Sequence, residues 1–168
     1  MLKANTRYFV GKIELDKHVD ITDPMYDRSV WCRTRTQCKP GTYFGYVDTV
    51  DTEFMGNLIA KLSIYKDDRR TDLAEMEEIA EIGVDSGMAG FFRNKPDFSD
   101  DDYDKLGVIT NEGDFWNAYD GIFSFSGCGD GSYPVYASKG QLPMAKVTGL
   151  ECRFRAPSFS HTAQAAVD

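Results

Sequence analysis

The stretch Ser124-Phe-Ser-Gly-Cys-Gly-Asp-Gly-Ser-Tyr-Pro-Val-Tyr136 sets three glycines, an aspartate and a cysteine between two β-rich runs, Ile122–Phe125 and Tyr133–Tyr136. Glycine reaches positive φ without a Cβ clash, and Asp-Gly favours tight turns. The stretch therefore predicts a strand, a constrained loop and a second strand. A loop of this kind either solves a packing problem or presents backbone N–H groups to a ligand, and the pattern leaves both interpretations open.

The strand pattern recurs on both sides of this loop. Apolar and polar residues alternate over Phe9–Leu15, Leu58–Ile64 and Val147–Phe154, which is the period of a half-buried strand. Turn residues separate the runs at short intervals, and the aromatic content of 13% also favours strands. The sequence therefore predicts a mainly β chain, α+β at the margin, with an antiparallel twisted sheet or β-sandwich and one to three short helices.

Three segments are candidates for those helices. Apolar residues have helical spacing over Asp72–Ala80, although an exposed strand leading into Glu81–Val84 is the competing interpretation. Ser99 precedes several aspartates, a pattern typical of an N-cap followed by an acidic first turn. The aromatic residues of Asp114–Tyr119 indicate a helical turn packed on the sheet.

Length and charge limit the classes of partner. The 168 residues suit a single domain, which we place at 1–155, with the polar segment 156–168 as a flexible tail. The net charge is −8 and the basic residues are scattered, so we expect no nucleic-acid partner. An acidic surface either faces a basic protein partner or maintains solubility.

Cysteine, histidine and hydropathy patterns give further expectations. The four cysteines lack Cys-x-x-Cys spacing and only His18 and His161 accompany them, so we expect no metal and no cofactor. The sequence has no apolar run of membrane-spanning length and no signal-peptide pattern at its start, which predicts a cytoplasmic protein without a membrane partner.

Several short motifs occur in a characteristic order. They are Gly11–Leu15, Ile21–Pro24, Pro40–Tyr43, Val84–Gly87, Gly129–Pro134 and the closing strand Val147–Phe154. Taken together, they resemble a bacterial and phage family known as domain of unknown function 4241, over roughly residues 8–154. The resemblance implies a bacterial or phage setting and supports the β fold, but it brings no established activity.

Ser86 and Cys128 are the candidate nucleophiles. Asp85-Ser86-Gly87 lacks the Gly-x-Ser-x-Gly pattern of a nucleophile elbow, and no base stands in a recognisable context, so a structural turn is the favoured interpretation. Cys128 sits between two glycines whose N–H groups would stabilise a thiolate or an oxyanion. A dyad with His18 would require the first strands to neighbour this loop.

The candidate ligand-binding residues are Gly127, Gly129, Gly131 and Asp130, all from the Gly-rich loop. We also predict that Asp85 and Asp130 lie close together at strand ends, each accepting backbone hydrogen bonds from its own turn. On that interpretation, Asp130→Ala would cost about 1–3 kcal/mol.

Two function classes follow. The leading hypothesis is a non-enzymatic protein-interaction or regulatory module of phage or bacterial origin. The alternative is a small hydrolase or ligand-binding enzyme whose site combines Asp85, Ser86, Cys128 and Asp130. Convergence of the 83–87 segment and the 126–131 loop on one open pocket with His18 or an arginine would favour the enzyme.

Overall fold

Alternating apolar residues give strands such as Gly41–Thr52 one buried face, and the chain folds into two antiparallel sheets. The computed structural model describes residues 1–27, 33–66, 76–138 and 147–154. Within these ranges the elements are β1 (Arg7–Leu15), β2 (His18–Thr22), β3 (Arg33–Gln37), β4 (Gly41–Thr52), β5 (Gly56–Lys66), β6 (Met76–Val84), β7 (Met88–Phe92), α1 (Asp100–Thr110), β8 (Phe115–Ala118), β9 (Gly121–Phe125), β10 (Gly131–Ser138) and β11 (Gly149–Arg153).

The strands divide between a six-stranded sheet, in the order β1-β4-β5-β11-β10-β6, and a five-stranded sheet, in the order β3-β2-β7-β9-β8. The inward residues of both sheets form the main core, which includes Val47 and Ile64 from the larger sheet and Ile21 and Ile122 from the smaller one. Gly45 permits this packing, since a Cβ built there would lie 2.4 Å from Cδ1 of Ile122. The fold is thus sandwich-like, as the alternation predicts.

The helix α1 covers the outer face of the five-stranded sheet. Leu106 is fully buried and belongs to a second cluster with Phe92 and Phe123. At the helix start, the Ser99 hydroxyl accepts a hydrogen bond from the Asp102 N–H at 3.3 Å, and the Asp102 carboxylate accepts one from the Ser99 N–H at 3.0 Å. This capping box confirms the helix predicted after Ser99.

The other two helix predictions are wrong where the structure describes them. Residues 76–80 belong to β6, which confirms the competing strand interpretation, while 72–75 lie outside the described ranges. In the segment 114–119, Phe115 packs toward Tyr8 and the main core, whereas Trp116 packs on Phe123 in the helix-side cluster. Neighbouring side chains on opposite faces are the signature of a strand, which is β8.

The predicted tail, 156–168, lies outside the described residues, as do Cys32 and His161. No helix among the described residues is long and apolar enough to span a membrane.

Candidate functional site

The two motif segments converge because both are crossings between the sheets. Residues 85–87 connect β6 of the larger sheet to β7 of the smaller one, and 126–130 return from β9 to β10. Val84 pairs with Gly131 and Met88 pairs with Phe125, so the two crossings lie side by side. The Ser126 N–H donates a hydrogen bond to the Gly87 carbonyl at 2.9 Å and joins them.

Asp23, at the end of β2, holds the first crossing in place. Its fully buried carboxylate accepts hydrogen bonds from the backbone N–H groups of Asp85 at 2.9 Å and Ser86 at 2.8 Å. It also accepts from the Ser86 hydroxyl at 2.5 Å and, within its own turn, from the Met25 N–H at 3.0 Å. A buried carboxylate with four donors is stabilised by charge-assisted bonds. Asp23 therefore fixes the shape of the 85–87 crossing.

The Gly-rich crossing is held from inside. The hydroxyls of Ser126 and Tyr133 both donate to the Gly129 carbonyl, at 2.7 and 2.6 Å. Burial raises the pKa of the Tyr133 hydroxyl, which keeps it protonated as a donor. Gly127 has φ +71°, and a Cβ there would lie 2.9 Å from the Ile59 carbonyl oxygen, so the position requires glycine.

A shallow cavity of about 240 Å³ opens where the two crossings meet the β4–β5 hairpin and the N-terminal segment. It is lined by residues of all four segments and of the adjoining strands: Leu2, Asn57, Leu58, Ile59, Ser86, Gly87, Asp114, Phe125, Gly127, Cys128 and Gly129. Large apolar side chains are exposed at the cavity and in the adjoining turn between β4 and β5: Phe125 lines the cavity, and Phe54 and Met55 belong to the turn. The exposed fraction is 85% for Phe54, 51% for Met55 and 37% for Phe125.

Both candidate nucleophiles line this cavity, and no histidine lines it in the part of the chain that the structure describes. The hydroxyl of Ser86 donates to Asp23, and the thiol of Cys128 lies 3.8 Å from the Met55 sulfur. His18 stands at the opposite end of β2, five residues before Asp23, which is about 17 Å of extended chain. Neither His18 nor an arginine is among the described lining residues.

The two loop aspartates are neighbours, since Asp85 follows Val84 and Asp130 precedes its partner Gly131. The predicted bonding of each to its own turn is wrong. The exposed Asp85 carboxylate accepts a bond from the Tyr26 hydroxyl, and the exposed Asp130 carboxylate has no hydrogen-bond partner within the described ranges. The turn donors expected to bind Asp85 instead bind Asp23, which is the residue that the sequence analysis missed.

Of the predicted ligand-binding residues, Gly127 and Gly129 line the cavity. Asp130 and Gly131 are exposed beside it and are not lining residues. The one sequence feature pointing to Asp23 was its place before Pro24, because Asp followed by Pro often accepts a hydrogen bond from the N–H two residues on.

A buried ionic cluster adjoins the Asp23 anchor. Asp20, fully buried, accepts bonds from Arg33 at 2.6 Å, Arg35 at 2.8 Å and the Lys95 N–H at 2.9 Å. The Lys95 ammonium lies 3.9 Å from the Phe98 ring centroid and donates to the Tyr26 carbonyl at 3.2 Å. Burial, with the nearby Arg33, lowers the pKa of Lys95. Tyr26 thus links this cluster to Asp85.

A larger cavity, of about 430 Å³, opens elsewhere, between the edge strands β1 and β8. Charged side chains of both signs line it, including Lys12, Glu14, Arg93 and Asp120. Neither motif segment reaches it, and its described lining has none of the exposed large apolar side chains. We therefore place the candidate site at the smaller cavity.

Among the described residues, no group of three or more His, Cys, Asp or Glu side chains is placed to hold a metal ion. Comparisons of the chain with models of protein families, with curated proteins and with solved structures gave no match.

Proposed function

We propose that the chain is a non-enzymatic protein-interaction module that binds its partner through the small cavity and the apolar side chains around it. We call this surface the docking patch: the cavity together with Phe54, Met55 and Phe125. The observation that carries the proposal is that three exposed apolar side chains belong to the cavity or to the adjoining hairpin turn: Phe125 lines the cavity, Met55 contacts the lining residue Cys128, and Phe54 precedes Met55. Single exposed apolar residues are ordinary, but a group of them beside a cavity is typical of a binding surface.

The rigidity of the two crossings supports the same proposal. Asp23 fixes one wall through backbone hydrogen bonds, and two hydroxyls fix the other through the Gly129 carbonyl. A surface that is already ordered loses little conformational entropy when a partner binds.

We place this activity in the cytoplasm of a bacterium or a phage-infected cell. The resemblance of the ordered motifs to the bacterial and phage family supports that origin. Cys38, Cys128 and Cys152 are free thiols in the part of the chain that the structure describes, which fits a reducing compartment.

Affinity capture with matched variants tests the proposal. Tagged wild type, Phe54→Ser and Phe9→Ser are expressed in the native host, and captured proteins are quantified by mass spectrometry. Phe9 is the control because it is also an exposed phenylalanine, at 51%, but it lies on β1 opposite Tyr46. β4 ends at Thr52, six residues beyond Tyr46, which is about 20 Å of extended chain.

We expect at least one protein to be captured by wild type and by Phe9→Ser but reduced at least about tenfold by Phe54→Ser, as for a hot-spot aromatic. Urea midpoints of the variants show whether each is folded. If every captured protein is retained equally by the two folded variants, the docking patch is not the interaction surface.

The placement of Ser86 and Cys128 at one cavity favours a small hydrolase as the second candidate function. Its test is turnover of a panel of chromogenic esters by wild type, Ser86→Ala and Cys128→Ala. An interaction module gives no turnover that depends on either residue. Turnover abolished by one substitution in a folded variant would replace the leading proposal with the hydrolase.

A further inference from the structure

The acidic side chains around the docking patch point to one kind of partner. We infer that its occupant is a cationic protein segment, in which one large apolar side chain enters the cavity and lysines or arginines flank it. This inference rests on the proposed function, and it specifies the chemistry of the partner.

Five acidic residues belong to the docking patch lining or adjoin patch residues in the chain or in the β4–β5 ladder. Asp114 is a lining residue, and Asp51 is paired with the lining residue Asn57. The other three adjoin patch residues in the chain: Glu53 beside Phe54, Asp85 beside Ser86 and Asp130 beside Gly129. Four of the five are exposed and Asp114 is partly exposed.

These charges are not neutralised within the described part of the chain. Among the described residues, none of the five carboxylates takes part in an ion pair, and no lysine or arginine lines the cavity. Lys3 follows the lining residue Leu2 in the sequence. A concave surface carrying one sign of charge focuses its potential and attracts ligands of the opposite sign.

The size of the cavity favours a side chain over a free small molecule. Its volume of about 240 Å³ lies below the roughly 300–1,000 Å³ of pockets that bind drug-sized ligands. The apolar part of the patch, Phe54, Met55 and Phe125, continues outside the cavity and would contact the neighbouring residues of a bound segment. An apolar anchor with a charged rim is the usual anatomy of a protein interface.

The same charges disfavour the other occupants. Nucleic acid and anionic membranes carry negative charge and are repelled. A second copy bound through the same patch would bring two sets of five carboxylates together, because an isologous interface pairs each surface with itself. A cationic protein segment with one large apolar side chain complements both the apolar surface and the acidic residues around it.

A displayed library of random dodecapeptides tests the inference without knowledge of the natural partner. The library is selected on the full-length wild-type protein and counter-selected on Phe54→Ser. We expect enriched peptides to share one large apolar residue flanked by lysine or arginine. A synthetic peptide of the enriched sequence then serves as the probe for affinity measurements.

For that peptide, the dissociation constant should rise at least about tenfold between about 50 and 300 mM salt, because screening weakens the attraction of opposite charges. Glu53→Lys combined with Asp130→Lys should weaken binding by a similar factor. Asp101→Lys combined with Asp104→Lys makes the same total charge change at exposed positions of α1 away from the lining residues, and this matched control should leave the affinity within about twofold.

The outcomes separate the two claims. Enriched peptides that depend on Phe54 but are neutral or acidic, or that bind independently of salt, overturn the cationic partner and leave the docking patch standing. If no enriched peptide distinguishes wild type from Phe54→Ser, the docking patch fails as a binding surface and the inference fails with it.

Discussion

Asp23→Ala should destabilise the protein strongly, although Asp23 is neither a predicted site residue nor part of the cavity lining. The substitution removes the acceptor of three backbone N–H groups, those of Met25, Asp85 and Ser86. A buried donor without an acceptor costs about 1–3 kcal/mol. Two effects reduce the summed cost of the three donors: water reaches the exposed residue Asp85, and alanine avoids the cost of burying a carboxylate. We therefore expect the free energy of unfolding to fall by about 3 kcal/mol.

Urea unfolding followed by circular dichroism measures this free energy, and thermal melts should show a fall of about 6–12 °C for a chain of this length. Asp130→Ala is the matched control, because its exposed carboxylate has no hydrogen-bond partner within the described residues. We expect the control to lie within about 0.5 kcal/mol of wild type, in place of the larger cost that the sequence predicts.

A second substitution tests the mechanism as well as the magnitude. Ser86→Ala removes one of the four bonds to Asp23 and should cost about 1 kcal/mol in wild type. In the Asp23→Ala background the same change should cost much less, since the two residues share that bond. An Asp23→Ala loss below about 1 kcal/mol, or full additivity of the two changes, would refute the role assigned to Asp23.

Three further predictions concern other parts of the molecule. Native maleimide labelling mapped by mass spectrometry should modify Cys128 well before Cys38, because burial raises the pKa of Cys38 to about 11; comparable rates would contradict this burial. Burial lowers the pKa of Lys95 in the folded chain below its ordinary value of 10.5. Between those two values the unfolded chain binds more protons than the folded chain, so the free energy of unfolding should rise with pH in that window. Urea unfolding at several pH values should show this rise in wild type but not in Lys95→Met. If the free energy of unfolding changes equally with pH in both proteins, the prediction is wrong. Gly107→Ala, in the exposed interior of α1, should stabilise by about 1 kcal/mol, whereas Gly127→Ala should cost about 2 kcal/mol through its positive φ and lack of space; equal melting shifts would contradict that difference.

The strands were predictable because alternation is a local property. Ile13 and Leu15 of β1 and Leu62 and Ile64 of β5 bury one face against a common core, and that period of two is visible without knowledge of the core. Register shifts break the period earlier in both strands, so that Phe9 is exposed and Ile59 is buried. Both faces of the five-stranded sheet are covered at β7 and β9, and the neighbouring β8 also carries apolar residues on both faces. The segment after Asp114 therefore lacks the alternation of apolar and polar residues that marks a strand, and its sequence resembles a helical turn. Its hairpin turn is formed by Tyr119 and Asp120 at φ 54° and 53°, where the sequence has no glycine or asparagine.

The convergence of the two motifs was expected, but the means of holding them was not. Glycine content marks where a backbone turns, and both turns are where the motifs place them. The acceptor for the first turn is Asp23, more than sixty residues away in the chain. A bond between a side chain and a distant backbone N–H leaves no local pattern, because the donor is present in every residue except proline.

The Asp23 anchor also bears on how this surface diversifies. Three of its four bonds come from backbone N–H groups, which are unaffected by the side chains at those positions. The side chain of Asp85 can therefore change without loss of the geometry of the loop, and Ser86 can change at the cost of a single bond. Related chains would then keep an aspartate at position 23 while positions 85 and 86 vary, so that one scaffold acquires new partners by surface substitutions alone.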